Sequence, residues 1–408
     1  MRHARPSHRA REVVDRLRAA NAGREPERLA LKYRAMRASP FAFFRGTASL
    51  FWEDLSHADV PVPDAPAVWS CGDLHFENFG TYLGNDGEAC FDLNDFDESA
   101  LAPLTWEVVR FAAGVVLAGP TLALDEASTL DLATTFLRAY RDALADGAVR
   151  AINRTTATGT IGALLRRTGQ RTPAALLDAR TIEQHGTRRL RIDRRHLLTA
   201  TAAQHAQVAR SLSAFGAAQR DPAFYTVLDV ARRVAGVSSL GLERFLALVH
   251  GDAARGNVLL DVKEAQPSSL ARQGPLTQIA WASESSRIVT TQRRMQGVPP
   301  AELHDMQIGH QGCVMRALQP TEDRIRLRDA IGHPRRLQRV AATMAGLTAS
   351  AQLRSSGLAG AASAESLRAF ASTRGWRRAL LASARTYAQQ LERDYQHFVV
   401  AHEDDIIR

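Results

Sequence analysis

The sequence predicts an α+β protein with a mostly helical large lobe and a small antiparallel β lobe, and three observations carry that expectation. Residues 101–215 are rich in stretches with apolar positions at helical spacing and few breakers, at 111–117, 127–144 and 198–215. From residue 221 the texture changes, and across 225–262 short β-branched or apolar runs alternate with turns. Ahead of both, residues 69–98 (WSCGDLHFENFGTYLGNDGEACFDLNDFDE) read as a hairpin carrying two acidic clusters.

Residues 1–23 are basic and arginine-rich, and are expected as a frayed helix or a disordered arm. The large lobe is expected over 24–220. Leu29, Tyr33 and Met36 keep helical spacing, and Ser39-Pro40 reads as a helix stop and restart. Arg45, next to Gly46, offers a guanidinium either to a phosphate or to a surface ion pair. A proline-rich connector at 60–66 leads into a short strand at 67–70 and so into the hairpin. Its turn, Gly84-Asn85-Asp86-Gly87, joins two apolar-rich runs with residues that tolerate positive φ or bond their own backbone.

Folding that hairpin brings Asp73, His75, Glu77 and Asn78 beside Asp92, Asn94, Asp95, Asp97 and Glu98. So many carboxylates together call for a cation or a proton, and oxygen-only donors suit Mg²⁺ or Mn²⁺ rather than zinc. Phosphotransferases need a carboxylate near the acceptor hydroxyl, an Asn five residues on, and a further metal-binding Asp. Asp73 and Asn78 match the first pair, and Asp92 or Asp95, 19 or 22 positions after Asp73, offers the third, with Asp97 as another candidate. His75 is expected to orient or pack rather than to act as a base.

The β lobe is expected over 221–320. Gly236-Val237-Ser238-Ser239-Leu240-Gly241 is a glycine turn between strands, of the kind that lets backbone N–H groups approach phosphate. Twenty-two residues after Gly241, Lys263 follows an apolar run and precedes Glu264, as a strand lysine that pairs with nucleotide phosphates would. Arg316 lies on a later apolar segment and faces either phosphate or solvent. The segment 249–260 (VHGDAARGNVLL) repeats the HGDxxxxN word, with Asp252 and Asn257 as the alternative pair; no Asp follows it between 263 and 279, so it is expected as a hairpin loop. Residues 321–408 return to helix, at 337–353 and 377–399, and are expected to pack on the large lobe.

GDLHFEN and NDFDE resemble the GDLHxxN and IDF motifs of the aminoglycoside phosphotransferase and choline kinase branch of the protein-kinase-like superfamily. PLTWEVVRFA resembles the helix that follows them, and the resemblance implies that Glu107 buttresses the catalytic loop. It also implies a two-lobed protein-kinase-like fold binding ATP and Mg²⁺, with the motif order permuted because the glycine turn and lysine follow the acidic motifs. Along residues 33–354, SPFAFFRG, GDLHFENFG, FDLNDFDE, VKEAQPS, QRRMQ and MRALQPTEDRI resemble the bacterial family called domain of unknown function 2252. Two departures stand out: Ser238 where that family often has glycine, and Ala351-Gln352-Leu353-Arg354 where Ala-His-Ala-Arg is usual.

With 408 residues and 45% hydrophobic content the chain can bury a sizeable core. Cys71, Cys90 and Cys313 lack zinc or disulfide-framework spacing, so a cytoplasmic setting is expected. The formal net charge of +9 suits an anionic partner, yet the arginines are spread along the chain and a nucleic-acid role is not expected. No apolar run spans a membrane. The expected function is Mg-ATP-dependent phosphoryl transfer to a small-molecule hydroxyl. The alternatives are a nucleotide-binding pseudokinase-like module, nucleotidyl (AMP) transfer and a metal-dependent hydrolase. No oligomeric state follows from the sequence.

Overall fold

The computed structural model describes residues 8–57, 60–253, 256–318, 331–404 and 407. Helix α1 (His8–Ala20) corrects the expectation of a loose arm over its described part. Val13, Val14 and Leu17 enter the core, Arg16 bonds Asp54 at 2.8 Å, and Arg9 bonds Asp54 and Asp394. The arginines that make this stretch read as solvated are therefore its docking contacts on two buried aspartates.

Helices α2 (Pro26–Met36), α3 (Pro40–Gly46) and α4 (Ala48–Ser56) follow. The expected restart at Ser39-Pro40 is made by the Ser39 hydroxyl, which accepts from Ala42 N at 3.1 Å, with Pro40 at the first helical position. Strand β1 (Ala67–Ser70) enters the acidic segment and β2 (Phe79–Leu83) pairs with β3 (Ala89–Leu93) as the expected hairpin. Gly87 (φ +80°) donates to Gly84 O at 3.0 Å in its turn. Strand β4 (Ala100–Pro103) then pairs antiparallel with β1.

The helical body continues with α5 (Leu104–Ala118), almost wholly buried, and α6 (Glu126–Asp146). Next come α7 (Gly159–Gly169), α8 (Pro173–Arg180), the β5 (Thr181–Gln184) and β6 (Thr187–Leu190) hairpin, β7 (Leu197–Thr199) and α9 (Ala202–Ala217). After them, β8 (Val227–Arg233), β9 (Arg244–Asp252) and β10 (Gly256–Glu264) form a meander. Helices α10 (Ser269–Gln273) and α11 (Glu284–Met295) lead to β11 (His304–Ile308) and β12 (Gln311–Ala317). Finally α12 (Pro334–Arg354), α13 (Ala364–Ser372) and α14 (Trp376–Glu403) return to the helical body, where α12 lies on α6 and α14 on α5.

The chain is thus mixed α+β with antiparallel sheets. The largest sheet has the order β11-β12-β10-β9-β8-β7. Its membership moves the expected boundary: β7 and α9 precede residue 221 yet belong with the sheet. Val208 and Leu212 of α9 pack on Val230, Phe245, Ala247 and Leu260 of one sheet face. A three-residue edge strand inside an arginine-rich stretch carries no alternation signal, which is why residues 198–215 read as helix throughout. No helix among the described residues is long and apolar enough to cross a membrane.

Candidate active site

Strand β1 delivers the chain to Gly72, where glycine is required on two counts: φ is +83°, and a Cβ would stand 1.8 Å from Glu98 O. Around this turn the backbone is braced from α5. Buried Glu107 accepts from Cys71 N at 2.7 Å and Gly72 N at 3.4 Å, and its other oxygen accepts from Gln352 Nε2 at 2.8 Å. Gln352 in turn accepts from the Tyr140 hydroxyl. The amide at 352 is therefore a link between α6, α12 and the acidic loop.

Asp73 is held by Arg110, one helical turn after Glu107 on the same helix. Arg110 Nε donates to Asp73 Oδ1 at 2.7 Å, Nη2 donates to Phe44 O at 3.0 Å, and the guanidinium lies 3.9 Å from the Phe44 ring centroid. Burial pushes the Asp73 carboxyl up to about 6, against the lowering pull of Arg110 and with help from nearby Asp95 and Glu98. His75 Nδ1 accepts from Glu77 N at 3.1 Å, its Nε2 lies 3.7 Å from Asp73, and its ring meets Phe41 edge-on. These contacts suit orientation.

Asn78 is buried and acts as a cross-brace: Nδ2 donates to Asp73 O and Asp95 O at 3.0 and 3.1 Å, while Oδ1 accepts from Asp95 N at 2.7 Å. It locks the two halves of the acidic segment into one register. Asp92 is turned elsewhere. Its carboxylate accepts from Leu93 N and Gly297 N and lies 3.9 Å from Arg354, away from the residues lining the clefts described below. Strand alternation explains this, since the side chain of a β3 residue faces α12 once the β2–β3 register is fixed.

Asp95 and Asp97 meet Lys263 of β10. The ammonium donates to Asp97 Oδ2 and lies 4.0 Å from Asp95 Oδ1. Burial and the neighbouring Asp95 push the Asp97 carboxyl up, and Lys263 opposes them. Arg287 of α11 clamps the same loop, donating to Asp97 O at 2.8 Å, Ser99 O at 2.5 Å and Gln266 O at 3.1 Å. Glu98 instead serves α10, accepting from Ser269 N at 2.7 Å and Ser269 Oγ at 2.6 Å.

The turn 236–241 lies over this pair. Gly236 (φ +77°) and Gly241 (φ +91°) make it, and Arg24 Nη1 pins it by donating to Ser238 O and Leu240 O at 2.7 Å each. Glu264 accepts from Glu243 N at 2.7 Å and lines the same space. Arg45 forms an ion pair, one of its two expected fates, at 2.7 Å from Glu77, and its buried Nε has no partner among the described residues. Arg316 donates to Asn94 O and Oδ1 at 3.2 Å, tying β12 to the acidic loop.

Two openings result. A cleft of about 850 Å³ is lined by Asp73, Asp95, Asp97 and Glu98 on one side and by residues 21–26, Arg28, Lys32, Ser238, Gly241 and Glu264 on the other. A smaller one of about 60 Å³ lies between residues 236–239, Lys263, Arg244, Asp261 and Arg316. Among the described residues no group of three or more His, Cys, Asp or Glu side chains is arranged to hold a metal by itself. Of the expected ligands, Asp95 and Asp97 line both clefts, Asn78 lines the smaller one with its amide committed to backbone, and Asp92 lines neither.

The residues that sequence reasoning passed over are cations. Arg110 had a signal, because Glu107 and Arg110 are the charged residues of an otherwise uncharged α5 and sit one turn apart. Lys32 had another: of the 52 basic residues only two are lysines, Lys32 and Lys263, and both border the clefts.

No curated protein and no solved structure matches the chain. A family model does, across residues 24–401, and the chain belongs to that family, domain of unknown function 2252, described as an uncharacterized protein conserved in bacteria.

Proposed function

We propose that the protein is a Mg-ATP-dependent phosphotransferase acting on a small-molecule hydroxyl, on a two-lobed protein-kinase-like fold with permuted motif order. The observation that carries this reading is the contact of Lys263 with Asp97 across 166 positions of sequence, beneath a glycine turn and beside Asp73. Asp73, with its carboxyl pushed up to about 6, is tuned to take a proton from an acceptor hydroxyl near neutral pH. Arg110 fixes its orientation from a fully buried position.

Asp95 and Asp97 are the residues that would hold Mg²⁺, an ion that binds through one or two carboxylates plus substrate phosphates and does not need a complete protein cage. When bound, the metal supplies charge neutralisation to the phosphates. Lys263 balances the two carboxylates in the free protein, and its ammonium then becomes available to the nucleotide phosphates. Backbone N–H groups of the turn 236–241 and the guanidinium of Arg316 complete the phosphate contacts. Three buried cysteines, none of them in a disulfide, suit a cytoplasmic setting.

One feature favours nucleotidyl transfer as a second reading. Leu259, Asp261 and Lys263 alternate onto one face of β10, and two residues before the lysine the face is charged rather than apolar. Asp261 there bonds Arg244 at 2.5 Å and Arg233 at 2.6 Å, with Arg316 Nε at 4.0 Å, in a space with little room for a base. Three guanidiniums around one carboxylate attract phosphate, so the nucleotide would enter phosphates first with its base toward the larger cleft. Product analysis decides between the readings. Incubation with ATP, Mg²⁺ and a panel of small hydroxyl compounds yields ADP for phosphoryl transfer and pyrophosphate for nucleotidyl transfer. Neither product, or turnover unchanged in Asp95→Ala, overturns both.

A further inference from the structure

Lys32 is the second of the chain's two lysines, and it is buried at 3% exposure on α2, with its side chain bordering the 850 Å³ cleft that holds Asp73. Its ammonium has three donors, and its one hydrogen-bond partner among the described residues is Asn21 Oδ1 at 2.6 Å, an uncharged amide. Arg24, on the same wall, bonds only carbonyl oxygens, of Ser238 and Leu240. Neither cation forms an ion pair among the described residues, although seven carboxylates line the cleft; four of these are engaged elsewhere, with Glu25 holding Arg28, Asp97 holding Lys263, Glu98 capping α10 and Asp73 holding Arg110.

A third electropositive element joins them. Helix α4 begins at Ala48 without a side-chain cap, because the Thr47 hydroxyl donates back to Phe43 O at 2.8 Å, and Ala48 and Ser49 line the cleft. Burial and the nearby Arg24 lower the Lys32 pKa well below its usual value, and the carboxylates of Glu98 and Asp73 across the cleft oppose them, so an anion seated against the ammonium would favour its charged form. In a chain that uses arginine almost everywhere, lysine at this position presents a compact point charge rather than a planar guanidinium fork.

We propose that Lys32, Arg24 and the open N-terminus of α4 form an anion-binding subsite beside Asp73, and that the acceptor carries a phosphomonoester or carboxylate group held there. The word acceptor rests on the phosphotransferase reading; the anion site itself does not. Lys32 takes no part in the proposed nucleotide contacts, which come from Lys263, Arg316 and the turn 236–241; Arg24 touches both, because it also braces that turn.

Calorimetric titration of inorganic phosphate, and separately of acetate, into the full chain at constant ionic strength, without nucleotide or Mg²⁺, tests it. Losing a hydrogen-bonded charge weakens binding by about tenfold or more, so Lys32→Met is expected to weaken phosphate or acetate by that factor. Lys263→Met is expected to leave a binding event of unchanged affinity. Arg24→Gln is a second variant that weakens the same event, and Lys32→Met is expected to melt no lower than the parent because it removes an unpaired buried charge. Tighter phosphate than acetate points to a phosphorylated acceptor, and the reverse to a carboxylate. Equal affinities in the parent and Lys32→Met, binding lost only in Lys263→Met, or no saturable binding of either anion overturns the proposal. Because nucleotide is absent, none of these outcomes bears on whether Mg-ATP binds.

Discussion

Two stretches of this chain carry nearly the same word, GDLHFEN at 72–78 and HGDAARGN at 250–257, and the fold treats them in opposite ways. In the first, Asp73 is buried against Arg110 and Asn78 stitches two loop segments together. In the second, β9 ends at Asp252 and β10 begins at Gly256, the two residues pair across the strand ends, and the Asn257 amide donates to His250 O at 3.1 Å. Ala254 and Arg255 of that word lie outside the described residues. What separates a site from a hairpin tip is the surrounding support, here α5 and α12 behind the first copy.

Function offers the sharpest break between the copies. Removing a general base typically costs 10²- to 10⁴-fold in rate, so Asp73→Asn is expected to lower turnover by about a thousandfold, whereas Asp252→Asn leaves it within about twofold. Comparable losses in both would erase the distinction. Steady-state ADP release measures it.

Stability separates them next. Glycine at 72 has no room for a methyl group and takes a positive φ, so Gly72→Ala is expected to cost more than about 3 kcal/mol in urea unfolding. Gly256 also has positive φ but open space around it, and Gly256→Ala is expected to cost about 1 to 2 kcal/mol. Similar losses would mean that the first turn is not held by its neighbours. Likewise Glu107→Ala strands two or three donors and is expected to cost about 3 kcal/mol, against less than about 1 kcal/mol for Asn257→Ala.

The smallest effect concerns pH. In the proposed reaction Asp73 works as the carboxylate, so with its pKa at about 6 the rate is expected to fall as pH drops through that value. Arg110 lowers this pKa, so Arg110→Met is expected to move the acid limb upward by about one unit or more. A limb that stays put would detach Arg110 from the titrating group.

Much of this was legible in the sequence. The hairpin 69–98, its turn, the helices α5, α6, α12 and α14, and the strand that carries Lys263 all follow from periodicity and turn chemistry. The role of Glu107 came from resemblance and matches its bonds to Cys71 N and Gly72 N. The misses share a physical cause. Strand register turns Asp92 away from Asp95, buried aspartates order the arginine-rich start of the chain, and a three-residue edge strand is too short to alternate. Such effects arise only when distant elements meet, and a local pattern holds no record of them.

In the proposed site Lys263 of the sheet and the carboxylates of the hairpin serve a single nucleotide. Calorimetric titration of ATP with and without Mg²⁺ into the parent chain, Lys263→Ala and Asp95→Ala tests it most directly. Mg²⁺-dependent binding weakened by about tenfold or more in both variants is the expected result. ATP binding that ignores both changes, or no binding in the parent chain, would contradict it.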